Sequence, residues 1–270
     1  MISFPNAKIN LGLDVVEKRN DGYHNIISCF YPIPLKDILE INLSDKFSFS
    51  VSGIPIPGDQ GKNLVVEAYK KLKKDFDLPP VSIHLHKNIP MQSGLGGGSS
   101  DGAFALQMLN ELFELFLDDS VISDYASALG SDCPFFIYNT PSIISGRGEK
   151  IDEIDVDLKG HYICIVKPGI SISTQEAYRN IRPTYPEIDI RSILSDYNIG
   201  NWKEILKNDF EQVILEFHPG LSELKYTLYK MGALYVSMTG SGSAYYAIFK
   251  DPPSLKEKFP GDFFYWIGVL

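Results

Sequence analysis

Between Pro90 and Leu106 the chain reads Pro-Met-Gln-Ser-Gly-Leu-Gly-Gly-Gly-Ser-Ser-Asp-Gly-Ala-Phe-Ala-Leu. Gly94, Gly96, Gly97 and Gly98 surround Leu95. A backbone without Cβ atoms takes positive φ readily and comes close to a ligand. Ser99, Ser100 and Asp101 follow, residue types that cap helix N-termini. Apolar residues then recur at helical spacing: Gly102, Ala105, Leu106, Leu109, Leu112, Phe113 and Phe116. A glycine loop that opens a helix presents free backbone N–H groups and the positive end of the helix dipole. The chemistry this suits is phosphate binding. A β-branched residue at Gly97 is expected to resist positive φ and to block approach of the backbone to phosphate.

Three well-known phosphate loops do not fit. Walker A needs Gly-Lys-Ser/Thr, which occurs nowhere in the chain. The dinucleotide fingerprint counted from Gly94 needs glycine or alanine where Ser99 stands. The protein-kinase set of Val-Ala-Ile-Lys, His-Arg-Asp and Asp-Phe-Gly is missing. A flexible linker of the same composition would not be flanked by a strand and a long amphipathic helix.

Other chemistry-bearing residues lie on recognisable elements. Residues 7–16 alternate as a strand, with Ile9, Leu11, Leu13 and Val15 on one face and Lys8 and Asn10 on the other. Arg19-Asn20-Asp21-Gly22 is a hairpin turn, followed at once by Tyr23 and His24. Strands are expected at 26–30, 39–43 and 47–51. Asn63 opens a helix at 63–76 as a residue type that caps helix starts. Lys87 ends a strand at 81–87, three residues before Pro90. His84 and His86 share a face of that strand, and without a third ligand nearby they read as exposed. Asp132 sits in a loop between a helix at 120–129, stopped by Gly130, and the aromatic stretch Pro134-Phe135-Phe136. A strand is expected at 162–166. Ser173 to Glu176 form a capping box that opens a helix carrying Tyr178. Residues 183–200 are polar and turn-rich, the segment expected to be most mobile. Helices are expected at 202–217 and 221–231. Gly240 and Ser241 fall in a glycine turn between two strands that end at Phe249. Residues 263–270 carry no motif.

The chain has 270 residues and a net charge of −9. The length allows one large or two modest domains, each with its own core. The acidic balance argues against nucleic-acid binding, and any anionic ligand must be held by local positive groups. Cys29, Cys133 and Cys164 are scattered, with no Cys-x-x-Cys, so neither a zinc site nor a disulfide framework is indicated. No signal pattern or membrane-length apolar run is present, and a reducing cytoplasm is the expected setting. The acidic stretch 150–160 is the expected domain boundary, dividing the chain into 1–155 and 156–270.

Pro90-x-x-x-Gly94-Leu-Gly-Gly-Gly-Ser-Ser-Asp101 resembles the phosphate loop of the GHMP kinases. Ala7-Lys-Ile-Asn-Leu11 is similar to a family segment lining the active site, and Leu129-Gly-Ser-Asp132-Cys-Pro-Phe-Phe136 to the motif that carries the catalytic Asp. Thr239-Gly-Ser-Gly242 resembles the third family motif, a second glycine loop. Arg19-x-Asp-Gly-Tyr23-His24-Asn25 resembles a cytidine-binding segment found in one branch. The resemblance runs from Phe4 to Phe249 and implies an α+β, two-domain fold: an N-terminal domain like ribosomal protein S5 domain 2 and a ferredoxin-like C-terminal domain, with both substrates in the cleft between them. It implies an ATP-dependent kinase acting with Mg²⁺ on the 2-hydroxyl of a cytidine-diphosphate-linked methylerythritol, in the non-mevalonate isoprenoid route. On this resemblance Asp132 is the base, and Lys8 keeps it ionised and stabilises the transferred group. Asn63, Lys87, Pro90 and the loop Gly94, Leu95, Gly96, Gly97, Gly98, Ser99 and Ser100 bind ATP. Either serine could serve phosphate or metal, and no protein metal ligands are assigned. Asn10, Tyr23, His24, Tyr178, Gly240 and Ser241 bind the acceptor, with Tyr23 and Tyr178 sandwiching cytosine and His24 bonding its edge. The expected partner is this small molecule alone, without nucleic acid or membrane, for a monomer or weak homodimer. A mevalonate- or homoserine-type kinase is disfavoured by the aromatic pair, and a non-catalytic nucleotide-binding regulator by the presence of both Lys8 and Asp132.

Overall fold

A computed structural model of the chain describes residues 1–170, 172–254 and 259–270, with every side chain among them except those of Thr174 and Glu176. In chain order the elements are β1 (Ile2–Ser3), β2 (Asn6–Lys18), β3 (His24–Lys36), β4 (Ile38–Leu43), β5 (Ser48–Gly53), α1 (Leu64–Phe76), β6 (Val81–Lys87), α2 (Gly97–Leu112), α3 (Asp119–Ser127) and α4 (Cys133–Tyr138). They continue with β7 (Ser142–Gly146), β8 (Lys150–Glu153), β9 (Tyr162–Lys167), α5 (Thr174–Asn180), α6 (Ile190–Asp196), α7 (Trp202–Ile205), α8 (Asp209–Phe217), α9 (Leu221–Lys230), β10 (Tyr235–Met238), β11 (Tyr245–Phe249) and β12 (Phe264–Val269).

The chain forms two compact units, neither continuous in sequence. The first comprises residues 1–7, 35–91 and 96–140. Its sheet runs β1-β4-β6-β5, antiparallel except for the parallel β5–β6 pair. The period-two pattern of β6 buries Val81, Ile83, Leu85 and Lys87 on one face. On the other face His84 and His86 are hydrogen-bonded to Ser50 and Ser52 of β5, so they are ordered strand partners rather than plainly exposed residues. Helix α1 starts where Asn63 accepts the Val65 N–H at 2.9 Å, and α2 buries Ala103, Ala105, Leu106 and Leu109. The apolar stripe expected to continue to Phe116 does not, because the helix ends at Leu112. Glu114 and Phe116 then take positive φ, and Phe116 is 86 % exposed. Residues 133–138 form a helix where only an aromatic segment was expected; Pro134 in its first turn suits a helix start.

The second unit comprises residues 8–34, 92–95 and 141–270. One sheet has the order β2-β3-β7-β8, the other β10-β11-β9-β12. Taken in sequence order the latter is 2-3-1-4, antiparallel throughout, as in a ferredoxin-like domain. Leu13, Val15 and Ile26 share one core with Cys164, Val166, Phe210, Met238 and Tyr245. Residues 8–13 are buried on both faces of β2, so the face carrying Lys8 and Asn10 is not a solvated one. The stretch expected to be most mobile contains α6, which buries Ile190, Ile193 and Leu194 and is capped by Asp189. The helix expected across 202–217 is broken at Asn208, which caps α8 through Phe210 N–H. Ser173 makes no side-chain cap bond to α5, and the Glu176 half of the expected capping box lies outside the described side chains. Residues 263–270 supply the edge strand β12.

Candidate active site

In the first unit the glycine loop turns into α2 at Gly96, whose φ of +72° lies in the left-handed region. The helix therefore starts at Gly97, and Ser99, Ser100 and Asp101 lie inside its first turns instead of capping it. Glycine in that conformation turns the chain into the helix without help from a side chain. Gly96 stands at the cap position and has no side chain to accept a bond, and the first N–H groups of a helix have no acceptor within it. The glycines do different things. Gly97 is not in the positive-φ region; a Cβ there would stand 2.8 Å from Ile89 Cγ2, so core packing and not φ requires glycine. A Cβ at Gly98 would meet nothing within 4 Å among the described residues. Gly98 is thus the open floor of the loop.

Around this turn the first unit places several expected residues. Ser99 hydrogen-bonds the thiol of Cys133, which burial pushes up to about 12, so the sulfur is no nucleophile. Ser100 is fully buried, and its Oγ has no hydrogen-bond partner among the described residues. Asp132 is half-buried, immediately before α4, in αR conformation, and its side chain does not cap that helix. The Ser99–Cys133 bond therefore sets the Asp132 loop beside the first turn of α2. Asn63 is the cap of α1, with its Oδ1 engaged there. Pro90 is buried and leads from β6 into the loop. Lys87 is also buried, its ammonium held by Asp37 and Asp101.

In the second unit Lys8 is 2 % exposed. Its ammonium donates to Asn10 Oδ1 at 2.6 Å and lies 4.2 Å from the centre of the Phe30 ring. The Asn10 amide is engaged at both its atoms: its nitrogen donates to Ser28 Oγ at 2.8 Å, and its oxygen also accepts from Gly240 N–H at 2.9 Å. Asn10 thus orients Lys8 and the second glycine loop together. Residues 92–95 join this cluster. Lys8 N–H donates to Leu95 O at 2.9 Å and Ala244 N–H to Ser93 O at 3.2 Å. Gly94, at φ +76°, lies so close that a Cβ would stand 1.9 Å from Thr239 O. The Asn208 side chain donates to Met238 O at 2.8 Å and Gly240 O at 2.9 Å, holding the turn that carries Gly240 and Ser241.

The aromatic group is assembled differently from the expected sandwich. His24 stacks on Tyr178 with ring centres 5.0 Å apart, and Tyr178 meets Phe210 edge-on at 4.7 Å. Tyr23 is 54 % exposed, and the Arg147 guanidinium lies 3.7 Å from its ring centre. Burial, with the nearby Lys18 charge, lowers the His24 pKa, so the imidazole is neutral at pH 7 and offers one donor and one acceptor.

Sequence reasoning gave no site role to Asp37, Asn208 or Arg147, and read Thr239 only as the first residue of the second glycine loop. Asn208 also carried a local signal, as a helix-capping type two residues before Phe210.

A glycine loop at a helix N-terminus, a carboxylate beside it and a ferredoxin-like sheet define a small-molecule kinase class. The GHMP kinases N terminal domain model matches residues 63–140 and the GHMP kinases C terminal model residues 194–259. The chain belongs to the GHMP kinase family. It is 47 % identical over its whole length to a Parabacteroides distasonis protein named 4-diphosphocytidyl-2-C-methyl-D-erythritol kinase, all of which is covered. It is 49 % identical to a protein of the same name from Bacteroides thetaiotaomicron, over 95 % of each chain. A crystal structure of 4-(cytidine 5'-diphospho)-2C-methyl-D-erythritol kinase superposes with a TM-score of 0.79 at 30 % identity, covering 92 % of this chain and 90 % of the other.

Proposed function

We propose that the protein transfers the γ-phosphoryl group of ATP to the 2-hydroxyl of 4-diphosphocytidyl-2-C-methyl-D-erythritol, in non-mevalonate isoprenoid precursor biosynthesis. Near-full-length identity of almost one half to kinases of that name supports the reaction. The observation that carries the chemistry is the start of α2 behind a glycine cap residue, with open space over Gly98 among the described residues. The bond between the γ-phosphorus and the bridging β-oxygen breaks, and a bond to the acceptor oxygen forms. Asp132 takes the hydroxyl proton, and Lys8 stabilises charge on the transferred group. Residues Gly94 to Ser100 hold the triphosphate, where positioning and charge stabilisation do most of the work.

Mg²⁺ is part of this reading. The first turn of α2 fits a nucleotide–metal pair through Ser100, because its hydroxyl is buried and has no partner among the described residues, whereas that of Ser99 is engaged with Cys133. Ser100 is the serine we assign to phosphate or metal. Charge neutralisation on the triphosphate is what Mg²⁺ supplies when bound. Asn10 orients Lys8, and Gly240 with Ser241 borders the acceptor. We keep a sequence boundary at 155/156, which the two family-model matches straddle, and infer a cytoplasmic monomer or weak homodimer. Among the described residues no helix is long and apolar enough to cross a membrane.

The decisive experiment is ATP consumption across a panel of alcohols. The cytidine diphosphate ester is expected to be the best acceptor; better turnover of mevalonate or homoserine would overturn the substrate while leaving the kinase class. The loop is tested separately by Gly98→Val. The new side chain enters open space, so the melting temperature stays near wild type while nucleotide affinity falls. Loss of one hydrogen bond to a charged phosphate costs about 1.5–3 kcal/mol, roughly ten- to a hundredfold in Kd. Unchanged ATP affinity by calorimetry would remove the loop as the cradle.

A further inference from the structure

Three charged side chains are enclosed together in the first unit. Lys87, Asp37 and Asp101 are 0 %, 0 % and 3 % exposed. Lys87 is the last residue of β6, and its ammonium donates to Asp37 and, at 2.7 Å, to Asp101 Oδ2. Asp37 immediately precedes β4. Its other oxygen accepts the backbone N–H of Asn88 at 2.6 Å and of Ile89 at 2.9 Å. Asp101 lies one turn into α2, and a Cβ on Gly97 would stand 3.3 Å from the Lys87 ammonium. These contacts join the exit of β6, the first residues of the loop and the first turn of α2 in one network.

Such a network is a poor source of stability. Burying the charges costs several kcal/mol, and well-packed apolar residues often serve as well. What it does supply is one fixed geometry, at the place where the N–H groups of α2 must be aimed. We propose that Lys87, Asp37 and Asp101 are positioning residues for ATP, acting through the start of α2, whose register against β6 they fix. Lys87 then serves the nucleotide by bracing the loop rather than by touching phosphate.

The protonation state agrees with the geometry. Burial raises the Asp101 pKa well above the carboxylate range, against the pull of Lys87 and with the help of Asp37. For Lys87, burial alone would lower the pKa, but the two carboxylates outweigh it and the group stays charged. Lys87 is thus a buried ammonium shared by two enclosed carboxyl groups. An asparagine at 101 keeps an oxygen to accept from the Lys87 ammonium, as Asp101 Oδ2 does at 2.7 Å.

The inference rests on the loop being the site of the ATP phosphates, and the test separates the two. Asp101→Ala frees α2 but leaves the Lys87–Asp37 pair intact. It is expected to raise KM for ATP on the order of tenfold, since small misplacement of positioned groups has large effects, with KM for the acceptor unchanged. Asp101→Asn is expected to restore the wild-type KM for ATP. If Asp101→Ala fails to fold, Asp101→Leu fills the space and carries the same expectation. A melting temperature that falls while KM for ATP stays constant would make the network structural only and overturn the proposal. An equal rise in both KM values would do the same. With Gly98→Val assayed alongside, weakened ATP binding in that variant and none in Asp101→Ala overturns the brace alone. No effect in either overturns the loop reading and the brace with it.

Discussion

Asp132→Asn is expected to lower kcat by roughly a hundred- to ten-thousandfold, the span of a lost general base, with ATP affinity unchanged. The local structure makes this substitution clean. The Asp132 side chain does not cap α4, so asparagine forfeits no cap bond there. The backbone at 132 is αR, which asparagine adopts without strain. The Ser99–Cys133 bond that sets the loop beside α2 does not involve residue 132. The change therefore removes basicity and keeps shape. A coupled assay gives kcat, and calorimetry with a non-hydrolysable analogue gives affinity. A kcat within a few-fold of wild type would remove Asp132 from the chemistry.

The second large effect concerns the base of the acceptor. The uridine analogue is expected to have kcat/KM lower on the order of 10⁴-fold, because a site built to hydrogen-bond its ligand rejects one that leaves buried groups unpaired. Stacking does not tell bases apart, so discrimination is expected to fall to His24 and neighbouring backbone groups. A neutral imidazole, favoured here by burial, presents one donor and one acceptor. Stacking itself is tested at Tyr23. Base–aromatic stacking contributes about 1–3 kcal/mol, so Tyr23→Ala should raise KM for the cytidine ester by about five- to a hundredfold and leave KM for ATP alone. Tyr178→Ala is the less clean variant, since Tyr178 also packs against Phe210 and carries His24 on its face. Equal use of the two esters, or a rise in KM for ATP in Tyr23→Ala, would mean that these rings do not read cytosine.

Much of this was visible in the residues themselves. The glycine run followed by helical spacing gave the loop and α2, and the alternation at 81–87 gave β6 to the residue. Same-face parity also placed Lys87 with Val81, Ile83 and Leu85, a signal for burial that a lysine's usual exposure masks. Its partner Asp37 lies fifty residues away, and no local pattern pairs them. The start of α6 was legible too: Asp189 followed by Ile190, Ile193 and Leu194 has cap and spacing, obscured by the prolines and polar residues before it. Strand β12 reads Phe-Tyr-Trp-Ile-Gly-Val, rich in strand-forming types. The contacts of Arg147 with Tyr23 and of Asn10 with Gly240 depend on long-range packing, which one sequence does not encode in any short window.

The shared core of the second unit bears on how the chain is made. Leu13, Val15 and Ile26 leave the ribosome early, while Met238, Tyr245 and Phe249, which complete the same cluster, come last. At about 5–20 residues per second the β2–β3 hairpin waits roughly ten to fifty seconds for them, its apolar face uncovered. Folding of this unit is thus largely a post-translational event, dominated by contacts between distant parts of the chain and correspondingly slow. A fragment that stops at residue 155 lacks most of that core. During synthesis the amino-terminal strands carry apolar side chains whose core partners are not yet made.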